Sequence, residues 1–224
     1  MLELLGEVLP YAVTIAISPV PIIAVILMLM SPRPHGLGLG FLSGWVVGIL
    51  VVTGVFSVLA GILPDPQDSA EPKPAVVIAQ LVLGVLLLLL AVKQWRGRPR
   101  AGDQPELPKW MKSINSMKPG AGLGLGVLLA ALNPKNLLVA AAAGLAMGQQ
   151  GASGGTMVLA LIVFTLISAL TVLLPVSLFL LAPAKATEIL DRIREWLTLH
   201  NAAIMVVLFA VLGGQLLGKG LAGL

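Results

Sequence analysis

Long apolar segments alternate with short polar segments along the whole chain. Six of them hold about 20 or more mostly apolar residues, the length that a helix needs to cross a bilayer. These predicted spans are residues 8–30, 37–63, 75–95, 121–147, 154–182 and 200–221. Prolines, glycines and charged residues between them indicate turns and polar loops. The pattern therefore predicts an all-α, polytopic integral membrane protein with six transmembrane helices.

The composition supports a membrane protein and excludes several kinds of site. Hydrophobic residues make up 58% of the 224 residues and charged residues 11%, whereas soluble domains have about 45–50% and about 25%. The chain has no cysteine and two histidines, so we expect no disulfide, no metal site and no cofactor. We find no acid–base pair within a predicted span, and we therefore predict no enzyme and no nucleic-acid partner.

The distribution of basic residues predicts how the spans are oriented. Lys73 and Lys219 are the only basic residues predicted on one side of the membrane, and Lys135 lies inside a span. The other eleven of the 14 Lys and Arg residues follow spans 1, 3 and 5. Because cytoplasmic loops carry an excess of Lys and Arg, we predict both termini on the outer face of the plasma membrane. The basic linker 96–120 is then cytoplasmic.

Residues 184–198 form an amphipathic segment before the last span. Ile189, Ile193, Trp196 and Leu197 recur at helical spacing with charged residues between them. This pattern predicts a helix that lies on the inner membrane surface. The alternative is a cytoplasmic extension of span 5 or span 6.

The two halves of the chain are weakly similar to each other. Aligning Pro19 with Pro134, an offset of 115 residues, also lays span 2 over span 5, and span 3 over span 6 after a short insertion. Each half, 1–95 and 121–224, holds three spans. Because three is an odd number, the halves enter the membrane in opposite directions, as in the inverted repeats of many secondary transporters.

Prolines near the middle of spans 1 and 4 predict two discontinuous helices. Pro19, Pro21 and Pro134 lack a backbone donor, and each frees a carbonyl about one turn earlier. In a bilayer, such freed groups need partners from protein or from water in a cavity. Two broken helices at a pseudo-twofold axis are typical of a midplane binding site.

Polar residues surround these prolines, and with them they make the candidate substrate-binding or gating site. Its members are Ser18, Pro19, Pro21, Asn133, Pro134, Lys135 and Asn136. Burying Lys135 mid-span costs roughly 2.5–3.5 kcal/mol on insertion scales, and no acidic residue lies inside a predicted span. The expected partners of Lys135 are freed carbonyls, the Asn amides, water or an anionic substrate group. Asn133 and Asn136 share a helix face, so they could hold a substrate oxygen or the opposite broken helix. The alternative is that these side chains only join helices together.

Glycines recur at every fourth residue in span 2, at Gly36, Gly40, Gly44 and Gly48. A face of small residues lets two helix backbones approach closely. We predict close helix packing there, with sliding during transport or a dimer seam as the alternatives.

Several motifs together resemble one family. They are "ISPVPI", "SPRPHGLGLGFLSGWVVG", "LLAVKQWRGRP", "LPKWM" and, most specifically, "ALNPKNLL". The set resembles the GAP family, also called the Sap, sulfolipid-addressing or peptidoglycolipid-addressing family, within the LysE superfamily of exporters. The resemblance runs from about Pro10 to the C-terminus.

The resemblance implies six spans in two inverted halves and the export of envelope lipids or glycolipids, as in actinobacteria. The family motif maps onto "SPVP" at 18–21 and onto "NPKN" at 133–136. Relatives in the wider superfamily export amino acids and metal cations. A homodimer is an expected assembly by analogy with that superfamily.

Three hypotheses of function remain open. The first is an exporter of an envelope lipid or glycolipid, with membrane lipids as partners, in which Lys135 meets an anionic head group. The second is an exporter of a small polar solute, such as an amino acid or another zwitterion or anion. The third is a non-transporting scaffold of an export complex. A lateral opening to lipid favours the first hypothesis, a closed polar cavity favours the second, and full activity without the Lys135 charge favours the third.

Overall fold

A computed structural model describes residues 2–62, 74–98, 113–150 and 154–224, and almost all of them are helical. The helices are α1 (Leu2–Ala16), α2 (Pro19–Leu29), α3 (Pro34–Ile62), α4 (Pro74–Arg96), α5 (Pro119–Ala131), α6 (Pro134–Gln149), α7 (Gly154–Leu181) and α8 (Pro183–Ala222). A short 3₁₀ turn, Ile114–Ser116, precedes α5. The loop 64–73 and most of the linker 96–120 lie outside the described residues.

Two of the six predicted spans correspond to bent helix pairs. Helices α3, α4, α7 and α8 are each long and apolar enough to cross a membrane. Helices α1 and α2 meet at 49°, and α5 and α6 meet at 62°, so the described residues hold up to six spans when each bent pair is counted as one. The prediction of an all-α, polytopic membrane protein with discontinuous spans 1 and 4 is confirmed.

The last helix differs from one of the predictions. Helix α8 runs without interruption from Pro183 to Ala222, 40 residues, or about 60 Å at 1.5 Å per residue. The amphipathic segment 184–198 therefore continues into the last span as one helix, which matches the alternative of an extension of span 6 and not the prediction of a separate interfacial helix. The reason is that Pro183 begins the helix and no glycine or proline follows before Gly213. Ile189 and Trp196 are exposed on it, whereas Leu190 and Leu197 are buried.

The half-helices α2 and α6 lie at the centre of the molecule. Nine residues of α2 are buried, including both of its prolines, and α6 buries eleven. A helix that is apolar on all sides is one that neighbours surround. The longer helices expose many Leu and Val side chains instead, such as Val58, Leu89 and Leu166, and these form the surface that faces lipid.

Helix α3 packs along both halves of broken span 4. A Cβ atom at Gly44 would lie 2.1 Å from the carbonyl oxygen of Leu123, and one at Gly48 would lie 2.6 Å from Ala130 Cβ. The close packing predicted for this face is therefore confirmed at Gly44 and Gly48. The prediction did not identify the partner, which is the glycine-rich helix α5.

Helices α4 and α8 cross at Gly84 and Gly213. A Cβ atom at either glycine would lie 3.0 Å from the carbonyl oxygen of the other. This contact is reciprocal, as an inverted repeat predicts for the third span of each half. The division into repeats 1–95 and 121–224 stays a prediction.

Contacts at the two ends of the helix bundle show which segments lie on the same side of the membrane. At one end, Glu7 Oε1 lies 2.5 Å from Lys219 Nζ, and Gln150 Nε2 donates to Glu7 Oε2 at 2.6 Å. At the other end, Arg33 Nη1 lies 3.5 Å from the carbonyl oxygen of Met117. The N-terminus, the end of α6 and the C-terminus therefore share one face, as six spans require. The assignment of that face to the outside stays a prediction.

Candidate functional site

The break in span 1 leaves backbone carbonyls that need partners from elsewhere, and the first is that of Thr14. Pro19 has no N–H to donate to the carbonyl of Ile15, and the N–H of Ser18 donates to that oxygen instead, at 3.1 Å. In an unbroken helix, the N–H of Ser18 would bond Thr14. The carbonyl of Thr14 therefore loses its helical partner because of the proline five residues later.

Lys135 supplies the missing donor from the other half of the chain. Its Nζ atom donates to the carbonyl oxygen of Thr14 at 3.1 Å. Lys135 lies in the first turn of α6 and is only 6% exposed. The bond joins the two broken spans, and it confirms a freed carbonyl as the partner of this lysine.

The break in span 4 has an equivalent carbonyl with a different donor. Leu129 lies 115 residues after Thr14, and its carbonyl accepts a hydrogen bond from Asn136 Nδ2 at 2.9 Å. The residue that aligns with Asn136 in the first half is Pro21, which has no polar side chain. The carbonyl of Thr14 at the first break is therefore bonded by Lys135 from the other half of the chain. The carbonyl of Leu129 at the second break is bonded by a residue of its own half.

Asn133 and Ser18 occupy equivalent positions but act differently. Asn133 Oδ1 accepts a hydrogen bond from the Lys135 backbone N–H at 3.1 Å and caps α6. Ser18 has the same extended backbone before α2, and its hydroxyl makes no cap bond. Pro19 and Pro134 each occupy the first position of a half-helix, where a missing donor is tolerated.

The two Asn side chains of the candidate site act within their own half. The described hydrogen bonds of Asn133 and Asn136 reach α5 and α6, and none reaches span 1. Of the two alternatives for these side chains, a substrate oxygen or the opposite broken helix, these bonds therefore provide neither. Each amide bonds the freed backbone of its own span, because that backbone is the nearest partner.

Two residues outside the predicted set belong to this region. Thr171 Oγ1, on α7, donates to the carbonyl oxygen of Ala16 at the end of α1. Thr14 contributes its backbone carbonyl, which no side-chain pattern reveals. Its position five residues before Pro19 marks it as one of several carbonyls near the break, but only the fold shows that it lies beside Lys135.

Several buried polar atoms near the breaks make no hydrogen bond within the described structure. They are Ser18 Oγ, Asn136 Oδ1 and Ser168 Oγ, and Ser168 lies one turn before Thr171 on α7. Buried polar groups ordinarily have partners, so these atoms are available to a bound polar group. Among the described residues, no three His, Asp or Glu side chains converge in a way that could hold a metal ion.

Two largely apolar grooves border the breaks. The first, which we call the Thr171 groove, has a volume of about 540 Å³ and is lined by Ile22, Thr171, Leu174, Pro175, Arg192, Ile193, Trp196 and Leu197. The second, the Lys93 groove, has a volume of about 380 Å³ and is lined by Leu86, Leu89, Leu90, Lys93, Pro134, Leu137 and Leu138. Ligand sites typically measure about 300–1,000 Å³, so either groove has room for a ligand.

Comparison with known proteins gives one family. A family model described as "Sap, sulfolipid-1-addressing protein" matches residues 8–222, which is nearly the whole chain. No match was found among curated proteins or among solved structures.

Proposed function

The chain belongs to the Sap, sulfolipid-1-addressing protein family, and from this premise we propose that it exports an envelope lipid or glycolipid across the plasma membrane. The proposed mechanism is alternating access at the junction of the two broken spans. Ser18, Pro19 and Pro21 form its first side, and Asn133, Pro134, Lys135 and Asn136 form its second side.

The hydrogen bond between Lys135 and Thr14 is the observation that carries this proposal. It joins the broken span of one half to that of the other, and inverted-repeat transporters work by rocking one repeat against the other around a midplane site. An anionic group that binds Lys135 would compete with the Thr14 carbonyl for its N–H donors and would weaken this link between the two broken spans. Lys135 thus acts as substrate ligand and as gate.

The position of the grooves favours a lipid over a small solute. Both grooves reach the broken spans, since Ile22 lines one and Pro134 lines the other. Their walls are mostly Leu, Ile and Pro, which suit an acyl chain. A lipid could therefore approach the breaks from the side while its tails remain among apolar side chains.

A small polar solute is the second candidate, and a different observation favours it. Ser18 Oγ, Ser168 Oγ and Asn136 Oδ1 are buried and have no partner in the described structure. These atoms could bond a zwitterion such as an amino acid. A non-transporting scaffold is the third candidate, and it predicts that Lys135 can be replaced without loss of function.

The test is a lipid and metabolite profile of cells that lack the protein. The cells are complemented with wild type, with Lys135→Gln, or with Lys185→Gln as a matched control on the exposed surface of α8. Glutamine can still donate a hydrogen bond but carries no charge. Membrane expression of each variant is measured alongside.

We expect an envelope lipid to accumulate in the deletion cells, and we expect wild type and Lys185→Gln to restore its level. Lys135→Gln should leave it accumulated by at least about tenfold, the effect of roughly 1.4 kcal/mol. Accumulation of a small solute would overturn the lipid proposal in favour of the second candidate. Full restoration by Lys135→Gln would show that the charge is not part of the mechanism.

A further inference from the structure

We propose that the Lys93 groove is a binding site for one acyl chain of an anionic lipid from the inner leaflet, with Lys93 and Arg96 binding its head group. This inference rests on the proposed function, because it names the surface from which the lipid would reach the broken span. The groove lies between α4 and the first turns of α6.

One face of α4 forms a continuous track from a charge to the break. Leu86, Leu89, Leu90 and Lys93 recur at three- and four-residue spacing and therefore share one side of the helix. The opposite wall consists of Pro134, Leu137 and Leu138. Pro134 is exposed, so the break itself opens onto the groove, one residue before Lys135.

Neighbouring residues indicate the depth of Lys93 in the membrane. Trp95 is 52% exposed, and the Arg98 guanidinium carbon lies 3.7 Å from its ring centroid. Tryptophan is enriched at the membrane–water interface, and the excess of Lys and Arg predicts that this end of α4 is cytoplasmic. Lys93 is therefore at the level of the inner-leaflet head groups, and Leu90, Leu89 and Leu86 lie progressively deeper in the hydrocarbon.

The charges at the mouth of the groove select an anionic lipid. Lys93 and Arg96 lie in the last turn of α4 and Arg98 follows its end, and residues 74–98 contain no Asp or Glu. Within the described structure, neither Lys93 nor Arg96 forms an ion pair. Arg192 of the Thr171 groove differs, because it lies 2.5 Å from Glu188. The Lys93 groove thus combines unpaired positive charge with an apolar track, which suits a lipid better than a free anion.

Photocrosslinking in vesicles tests this site. Full-length protein is reconstituted into phosphatidylcholine vesicles that contain a small fraction of diazirine-labelled phosphatidylglycerol or, in parallel, equally labelled phosphatidylcholine. Adducts are mapped by mass spectrometry for wild type, for Lys93→Gln/Arg96→Gln, and for Arg192→Gln as the matched control. Excess glycerol phosphate is added to one sample to test whether a soluble anion competes.

We expect phosphatidylglycerol to label Leu86–Lys93 and Leu137–Leu138 at least fivefold more than phosphatidylcholine does. Lys93→Gln/Arg96→Gln should abolish this preference, Arg192→Gln should retain it, and glycerol phosphate should not displace the lipid. Equal labelling by the two lipids, or a preference that survives Lys93→Gln/Arg96→Gln, would overturn the proposal. Displacement by glycerol phosphate would overturn it in favour of a soluble-anion site.

The outcome is independent of the export test. Selective labelling together with an unchanged cellular lipid profile would retain the lipid site and reject the export function. Accumulation of an envelope lipid without selective labelling would retain the export function and reject this groove as its entrance.

Discussion

At the scale of single residues, the burial of Lys135 costs free energy, and its hydrogen bond to Thr14 recovers part of that free energy. Burying a lysine in the membrane costs roughly 2.5–3.5 kcal/mol on insertion scales. Leaving the Thr14 carbonyl without a donor would cost about 1–3 kcal/mol. Because these two amounts nearly cancel, the Lys135–Thr14 bond adds little net stability, and its presence is better explained by a role in binding or gating.

This balance gives a direct prediction for Lys135→Met. The substitution removes the buried charge, which favours folding, and leaves the carbonyl of Thr14 unpaired, which opposes it, so we expect the free energy of unfolding to stay unchanged or to rise by up to about 2.5 kcal/mol. Unfolding in detergent micelles, followed by circular dichroism, measures the change. A loss of more than 3 kcal/mol would instead identify Lys135 as a structural link between the spans.

The equivalent residues Asn133 and Ser18 provide a matched pair. Asn133→Ala removes the side-chain cap of α6, and caps of this kind contribute about 1 kcal/mol. Ser18→Ala removes a hydroxyl that caps nothing, so we expect no loss of stability. The same unfolding measurement compares them. Equal losses of stability for the two variants would show that the Asn133 cap stabilises its break no more than Ser18 stabilises the other.

The sequence predicted where the breaks lie but not the partners that complete them. A proline near the middle of an apolar span identifies a break by itself, because the missing N–H is a property of the residue. The partner of Lys135 is a backbone carbonyl 121 residues away. Since every residue carries such a carbonyl, nothing in the side-chain pattern distinguishes Thr14 until the fold places it beside α6.

At the scale of the elements, α3 holds broken span 4 in position through backbone contact. A Cβ atom at Gly44 would lie 2.1 Å from the carbonyl oxygen of Leu123. The pair α5 and α6, bent by 62°, thus packs against a neighbour that approaches α5 without side chains between the backbones. The periodicity of the glycines predicted a close contact, but only the fold identifies α5 as the partner.

A single methyl group should therefore disturb this contact. Gly44→Ala is expected to lower the free energy of unfolding by about 1–3 kcal/mol, because α3 and α5 must separate to admit it. Gly124→Ala is the control, since nothing lies within 4 Å of a Cβ atom there. Alanine is also the better helix former by about 1 kcal/mol, so Gly124→Ala should not destabilise. Destabilisation of both variants by the same amount would contradict the backbone contact.

At the scale of the whole molecule, the two ends of the bundle differ in their chemistry. Glu7, Gln150 and Lys219 meet at one end, and the basic turn at Arg33 meets Met117 at the other. The number of spans was enough to predict that the two termini lie at the same end of the bundle. Helix α8 shows what could not be predicted: the charges between Pro183 and His200 suggested a separate element, but no residue there interrupts helical hydrogen bonding.

The absence of native cysteine makes the absolute orientation easy to measure. Leu224→Cys and Ser116→Cys place single thiols on exposed positions at opposite ends. In intact cells, we expect a membrane-impermeant maleimide to label Leu224→Cys but not Ser116→Cys, which should react only after lysis. The reverse pattern would show that the charge bias was assigned to the wrong side.

The bond from Lys135 to Thr14 also constrains how the protein is made. The chain enters the membrane N-terminus first, so the Thr14 carbonyl is synthesised 121 residues before its donor. At about 5–20 residues per second, this interval lasts roughly 6–24 s. During that time the first broken span has an unpaired carbonyl in the bilayer. The first half therefore completes the hydrogen bonding of its broken span only after the second half has been synthesised.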